Sequence, residues 1–428
     1  MKIKTLVKSY GEVMSITPQK QPKPKKPNMF FRTLLKLVSL PDLMATRFSF
    51  RKIGMERLGK KEPCFYLMNH SSFIDLEIAV SMIYPKPLNI IATTDAFVGK
   101  EWLMRQLGCF PTQKFIMNIG TFFDVKHCLG SLKSSVLMFP EAGYSFDGTA
   151  TALPQNLGVL LKKLSVPLVM IRTYGAYLRD PLYNNLQRRK TRVRAEMEYL
   201  LSPAEIEEKN EDELQSIIEE QFRFDSFRWQ KENLVKIDEP FRADMLNRVL
   251  YKCPHCLGEG KMEGKGIRLS CLACGKTYEL SEYGELMATD GETAFSYVSD
   301  WYEWERKEVQ SELEKGTYYM DIPVKIAMLI DTKALYFVGD GRLMHTEKGG
   351  FHLVGCDGEL DYVQKPHSSY TLNADYNWYE IGDVIGIGDN RALYYCFPQC
   401  EGDIVAKARL ATEEIYKRIK DQLADDKK

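Results

Sequence analysis

Between residues 61 and about 233, short apolar runs alternate with stretches whose apolar positions recur at helical spacing. The runs at 64–68, 88–93, 136–139, 168–174 and 192–200 read as strands, being short, rich in aromatic and β-branched residues and bounded by proline, glycine or polar positions. Helical patterns fall between and after them, at 73–83, 101–107, 121–132, 156–164 and 204–222, and the mix of aromatics and arginines at 222–229 reads as a closing helix. This alternation predicts an α/β domain over 61–240. Its first helix is expected to start from Ser72 as N-cap, with Ile74, Ile78 and Met82 on one face.

The pattern changes downstream. From about 290, short alternating segments at 325–330, 334–338, 350–354, 360–363, 369–372, 384–388 and 392–397 are separated by glycine turns, and a helix follows at about 403–423. Many strands ending in one helix predict a β-rich domain over 290–428, similar in outline to a pleckstrin-homology-like barrel plugged by a helix. At the other end, residues 1–60 hold a proline- and lysine-rich run at 19–27 and then an apolar face built from Phe30, Phe31, Leu34, Leu35, Leu37, Val38 and Leu40. An amphipathic helix over 29–40 is expected, lying in a bilayer interface or packed on the neighbouring domain. The chain therefore reads as multidomain.

Charge sharpens this picture. Lys plus Arg and Asp plus Glu are both 58, a balance that argues against a general nucleic-acid binder. Through residue 61, however, basic residues outnumber acidic ones by fifteen to three, so the basic end is suited to an anionic lipid surface. Neither an 18-residue apolar stretch nor an export signal is read in the sequence, so a peripheral protein on the cytoplasmic, inner face of the cell membrane is expected.

Chemistry concentrates in three places. Asn69-His70-Ser71-Ser72-Phe73-Ile74-Asp75 follows the first strand. Five positions apart on one helix, two side chains would stand roughly 140° from each other, so His70 and Asp75 can meet only if the histidine lies in the strand-to-helix loop. There the carboxylate would fix the imidazole tautomer and leave the second ring nitrogen as a base. Glu141, after Pro140, ends another apolar run and is followed by Ala142-Gly143-Tyr144. Finally, Cys253 with Cys256 and Cys271 with Cys274 form two Cys-x-x-Cys knuckles inside residues 250–284, a pattern that resembles a zinc ribbon and whose four thiolates would complete a closed, structural zinc site. A disulfide pair is the alternative, disfavoured without an export signal.

The first two blocks and the strand near 168 resemble the glycerolipid acyltransferases of the lysophosphatidate type, over about residues 30–235. The resemblance implies that His70 is the general base on an acceptor hydroxyl and Asp75 its orienting partner. It further implies that Asn69, Lys114, Glu141 and Gly143 belong to the substrate site, and that an acyl group moves from acyl-CoA or acyl-carrier protein to a lysophospholipid or glycerol-phosphate-like acceptor. Lys114 stands where the family has one arginine and Tyr144 where it has another. The competing expectation is a lipid- or partner-binding protein on the same fold with altered catalysis.

Overall fold

In the computed structural model, which describes residues 2–17, 21–114 and 119–425, the chain opens with strand β1 (Thr5–Val7) and helix α1 (Tyr10–Met14). The long helix α2 (Met29–Ala45) then leads into the α/β unit, with β2 (Ser49–Ile53), β3 (Phe65–Met68), α3 (Ile74–Ile83), β4 (Leu88–Thr93), α4 (Glu101–Gln106), β5 (Cys109–Thr112), α5 (Ile119–Lys126), β6 (Ser135–Met138), α6 (Leu157–Leu164), β7 (Leu168–Tyr174), α7 (Ala176–Arg179), β8 (Arg194–Leu201), α8 (Pro203–Glu208), α9 (Glu211–Phe222) and α10 (Ser226–Glu232). The sheet order is β2-β8-β7-β3-β6-β4-β5, parallel throughout except between β7 and β8. β3 lies at its centre, and all four of its residues are buried, as a strand covered on both faces requires. One face packs under α2 and α3 through Tyr66, Met68, Ile78 and Val169; the other packs under α6 and α9 through Phe65, Leu67, Leu161 and Leu214. α6 approaches α9 so closely that a Cβ on Gly158 would lie 2.0 Å from the Glu211 carbonyl oxygen, which explains a glycine inside that helix.

Several boundaries differ from the sequence reading. The stretch 204–222 is two helices, because Asn210 caps α9 through the Glu213 amide and interrupts the run. α9 ends at Phe222 and Asp225 caps α10, so the closing helix begins after 222. The helix expected at 121–132 stops at Lys126 and continues as one wider turn. α3 starts at Ile74, with Phe73 in the cap position, while the Ser72 hydroxyl oxygen accepts the Ile74 N–H at 3.3 Å and its hydroxyl donates to Asp180.

A four-stranded antiparallel ribbon follows, β9 (Met262–Lys265), β10 (Arg268–Cys271), β11 (Thr277–Leu280) and β12 (Leu286–Ala288), and then helix α11 (Val298–Glu314), which the sequence reading passed over. The last sheet contains β13 (Met320–Leu329), β14 (Leu335–Thr346), β15 (Gly350–Gly355), β16 (Leu360–Gln364), β17 (Asn373–Trp378), β18 (Gly382–Gly388) and β19 (Leu393–Pro398), closed off by α12 (Val405–Asp425). Its path runs β16-β15-β14-β13-β19-β18-β17, in which β16 and β17 each pair with one neighbour among the described residues, and α12 follows the last strand. The strand expected at 369–372 begins instead at Asn373. α11 and α12 cover one face of this sheet, and Trp301, Val309, Ala411 and Ile415 share a core with the ribbon's Leu269 and Tyr278 and with Tyr177 and Phe227 of the α/β unit.

The ends of the chain are stitched together. β1 pairs in parallel with β14, and residues 21–27 then cross the α/β sheet edge, where Asn89 donates to the Lys25 carbonyl at 2.8 Å. Val98 packs with Trp378, Leu393 and Tyr395 of the last sheet, and the Tyr379 hydroxyl donates to Asp95 at 3.1 Å.

Within α3, Glu77 is buried with one carboxyl oxygen unpartnered among the described residues. Burial is the first cause that lifts its pKa from 4.5 to about 7, with Asp42 adding to it. The folded chain thus holds a proton that the unfolded chain releases above its ordinary pKa, so this group's contribution is full below about 4.5 and is lost as pH rises through about 7. Glu77→Gln is expected to raise the melting temperature at about pH 8 and to change it little at about pH 4, as thermal denaturation at the two pH values will report.

Candidate active site

β6, β3 and β7 are adjacent and parallel, so their carboxyl ends open on one side of the sheet, the usual place for a ligand crevice in an α/β fold. His70 follows β3, Glu141 follows β6, and Thr173 lies near the end of β7. Three separate strands therefore bring the predicted histidine and glutamate together.

His70 sits in the loop before α3. Its Nδ1 lies 3.3 Å from Asp75 Oδ2, a long but usable hydrogen bond, and its Nε2 makes none among the described residues. The ring is held between Phe139, with centroids 4.2 Å apart, and Tyr144, at 4.6 Å. Its side chain is 22% exposed whereas that of Asp75 is 0% exposed, so the pair presents a reachable base on a buried support.

Asp75 is fixed from every side. Oδ2 accepts the Ser71 and Ser72 backbone N–H groups at 2.7 and 2.9 Å, and Oδ1 accepts the Thr173 hydroxyl at 3.1 Å. It thus both closes the first helical turn and orients the imidazole. Asn69 accepts the Thr173 backbone N–H at 2.8 Å and donates to that residue's carbonyl at 3.4 Å, tying the end of β3 to β7.

Glu141 is buried and bridges two segments. Oε2 accepts the His70 backbone N–H at 2.7 Å, while Oε1 accepts the Thr151 N–H at 3.0 Å and its hydroxyl at 3.2 Å. Burial raises its pKa, against the lowering by those donors. Ala142 has a left-handed φ of 52°, a conformation that costs energy with a side chain and turns the chain sharply into the cleft. A Cβ on Gly143 would meet nothing within 4 Å, so this residue faces open space. Among the described residues the backbone N–H groups of Gly143 and Tyr144 have no hydrogen-bond partner. Lys114 is half-buried just past β5.

Thr173 and the Ser72–Asp180 contact escaped the sequence reading. Their partners lie 98 to 108 positions away, and only Thr173 carried a trace, as a polar residue near the end of an apolar strand.

The four ribbon cysteines meet with their Sγ atoms all within 4.8 Å of one another. Cys253 and Cys274 are 3.8 Å apart and Cys256 and Cys271 3.6 Å. Four thiolates around one ion at about 2.3 Å would be spaced about 3.8 Å apart, so the cluster has the size a tetrahedral metal needs. The Leu257 and Gly275 N–H groups donate to the Cys253 and Cys271 carbonyls, each at 2.9 Å, and fold the two knuckles. His255 is exposed and stands outside the cluster.

Residues 49–172, which include His70, Asp75, Lys114, Glu141 and Gly143, match the Acyltransferase family model. A curated relative, the chloroplastic 1-acyl-sn-glycerol-3-phosphate acyltransferase BAT2 of Brassica napus, is 30% identical over 128 residues, 28% of this chain. The chain spans about a third of that relative's length, 36%. Among solved structures, the 1-acyl-sn-glycerophosphate acyltransferase PlsC of Thermotoga maritima aligns over 44% of this chain and 75% of its own, at 16% identity and a TM-score of 0.35.

Proposed function

We propose, from the acyltransferase-family domain at residues 49–172, that the protein transfers a fatty acyl group from an acyl-CoA or acyl-carrier-protein thioester to a hydroxyl of a lysolipid or similar glycerol-based acceptor. The observation that carries this reading is His70, oriented through Nδ1 by a buried carboxylate and open at Nε2 beside the ends of three parallel strands. Nε2 takes the acceptor's hydroxyl proton as its oxygen attacks the thioester carbonyl carbon. The C–S bond then breaks, and the departing thiolate recovers the proton from the imidazolium. Direct transfer needs no acyl-enzyme. The tetrahedral oxyanion requires donors aimed at it, and the unpartnered Gly143 and Tyr144 N–H groups are suited to that task. Glu141 holds their turn against His70. The test is ester formation by the purified chain with each donor type over a panel of lysolipid and glycerol acceptors. Absence of any ester would leave the binding-protein reading.

The metal we assign to the cysteine cluster is zinc, in a structural role, because four thiolates leave no position open for substrate.

No helix among the described residues is long and apolar enough to cross a membrane. A peripheral position at the inner, cytoplasmic membrane face is our reading, supported by α2. Its Phe30, Leu37 and Val38 are 67, 57 and 64% exposed, and Phe31 brings the 68% exposed Trp102 of α4 alongside, with ring centroids 5.9 Å apart. Lys23, Lys25 and Lys26 are exposed in the segment just before it. Such a face gains apolar burial in the interface and about 1 kcal/mol per well-placed cation. Binding to anionic vesicles is expected to weaken with salt, and serine at Phe30, Leu37 and Val38 should release the protein at low salt without lowering its melting temperature. Flotation that survives the triple substitution would move the anchor elsewhere.

A further inference from the structure

We infer that Arg179 is a positioning residue for the His70–Asp75 pair: with Asp180 and Ser72 it builds a strut that fixes the turn carrying Asp75, and through Asp42 it anchors that turn on α2. This inference rests on the acyl-transfer reading and deepens it.

The strut is continuous from helix to imidazole. Arg179 ends the short helix α7, and its side chain is only 4% exposed. Its Nη1 donates to Asp180 Oδ2 at 2.6 Å and its Nη2 to Asp42 Oδ2 at 2.8 Å, so one planar guanidinium bridges carboxylates from two elements. The other oxygen of Asp180 accepts the Ser72 hydroxyl, whose own oxygen accepts the Ile74 N–H at 3.3 Å. The backbone N–H of the same serine donates at 2.9 Å to Asp75 Oδ2, the oxygen that meets His70 Nδ1. Ser72 and Asp75 are fully buried, so water does not compete for these bonds.

His70 depends on this support because its own bond to Asp75 is long. At 3.3 Å it lies at the outer edge of useful hydrogen-bonding distance, and a small shift of the turn breaks it. Asp180 must also stay ionised to accept from Ser72. Burial lifts its pKa to about 6, and the Arg179 charge leads the forces that hold it down, with Ser72 and Arg188 acting the same way and Asp75 against them. At the outer end, Asp42 Oδ1 accepts the Arg188 guanidinium at 2.9 Å, and the neighbouring Leu43 is buried with Ile78 and Ile83 of α3. The guanidinium is therefore clamped between the catalytic turn and a packed helix. A lysine at 179 could reach one carboxylate, but it lacks the planar fork that bridges both.

The experiment measures kcat, KM and melting temperature of the full chain with palmitoyl-CoA, or palmitoyl-acyl-carrier protein, and monopalmitoylglycerol or its phosphate ester, whichever pair the native chain esterifies fastest. Arg179→Met is expected to lower kcat by roughly 10- to 100-fold with each KM within about twofold of native, the mark of a misaligned catalytic group. Ser72→Ala should lower kcat by about tenfold in the same way, and the double variant should be at most about twofold slower than the slower single one, since both cut one strut. Arg179→Lys should turn over at least about threefold faster than Arg179→Met, because it restores the charge beside Asp180. Arg306→Met separates positioning from stability. Arg306 bridges Glu413 and Glu414 at 2.8 Å each and bonds to nothing in the His70 turn among the described residues, so its loss should lower the melting temperature and leave kcat within about twofold of native. Native kcat in a folded Arg179→Met chain, losses that multiply in the double variant, or an equal loss in Arg306→Met overturns the inference while leaving acyl transfer intact. Should Arg179→Met not fold, native kcat in Ser72→Ala overturns it alone. No ester from the native chain overturns both.

Discussion

Replacing His70 with alanine is expected to slow acyl transfer by roughly 10²–10⁴-fold, the usual worth of a positioned acid–base group, in a chain that stays folded. The ring is partly exposed and makes one side-chain hydrogen bond, so its removal costs contacts with Phe139 and Tyr144 but leaves no buried partner without compensation except one oxygen of Asp75, which keeps two backbone donors. Asp75→Asn should behave differently. Its side chain closes the turn before α3 and binds Thr173 as well as His70, so both turnover and melting temperature should fall. The contrast separates chemistry from scaffolding: a folded His70→Ala chain with near-native turnover would remove the imidazole from the mechanism, whatever Asp75→Asn does.

What the sequence made legible was what lies close along it. His70 and Asp75 are five positions apart, and the geometry that lets them meet followed from helical period alone. The central strands were readable because burial on both faces makes them continuous apolar runs. β5 was missed since it is short and carries Pro111, which an edge strand tolerates because the missing N–H faces no partner. α11 was missed because Glu305 occupies a core position in its apolar stripe. That carboxyl is buried, accepts the Lys252 N–H at 2.8 Å and is pushed up in pKa by burial.

Cys271→Ser is expected to abolish stoichiometric zinc binding and to loosen far more than one small ribbon. The native chain should contain one zinc by elemental analysis. Structural zinc sites supply about 10 kcal/mol or more to small metal-dependent folds, and here the ligands sit in a core that extends into both flanking domains. Cys253 and Cys271 are buried in that core with Tyr278, whose ring packs 4.9 Å from Trp301, and the Trp301 indole donates to the Lys252 carbonyl at 2.9 Å. Losing the metal should therefore lower the melting temperature of the whole chain and shift buried tryptophan fluorescence to the red. Thiol titration supplies the sharper test. Burial would protect Cys253 and Cys271 with or without an ion, but Cys256 and Cys274 are exposed and only a bound metal would shield them. The native protein should gain rapidly reacting thiols on chelation, and Cys256 and Cys274 should be among the first labelled. If both already react freely before the chelator is added, the four-thiolate zinc site is wrong.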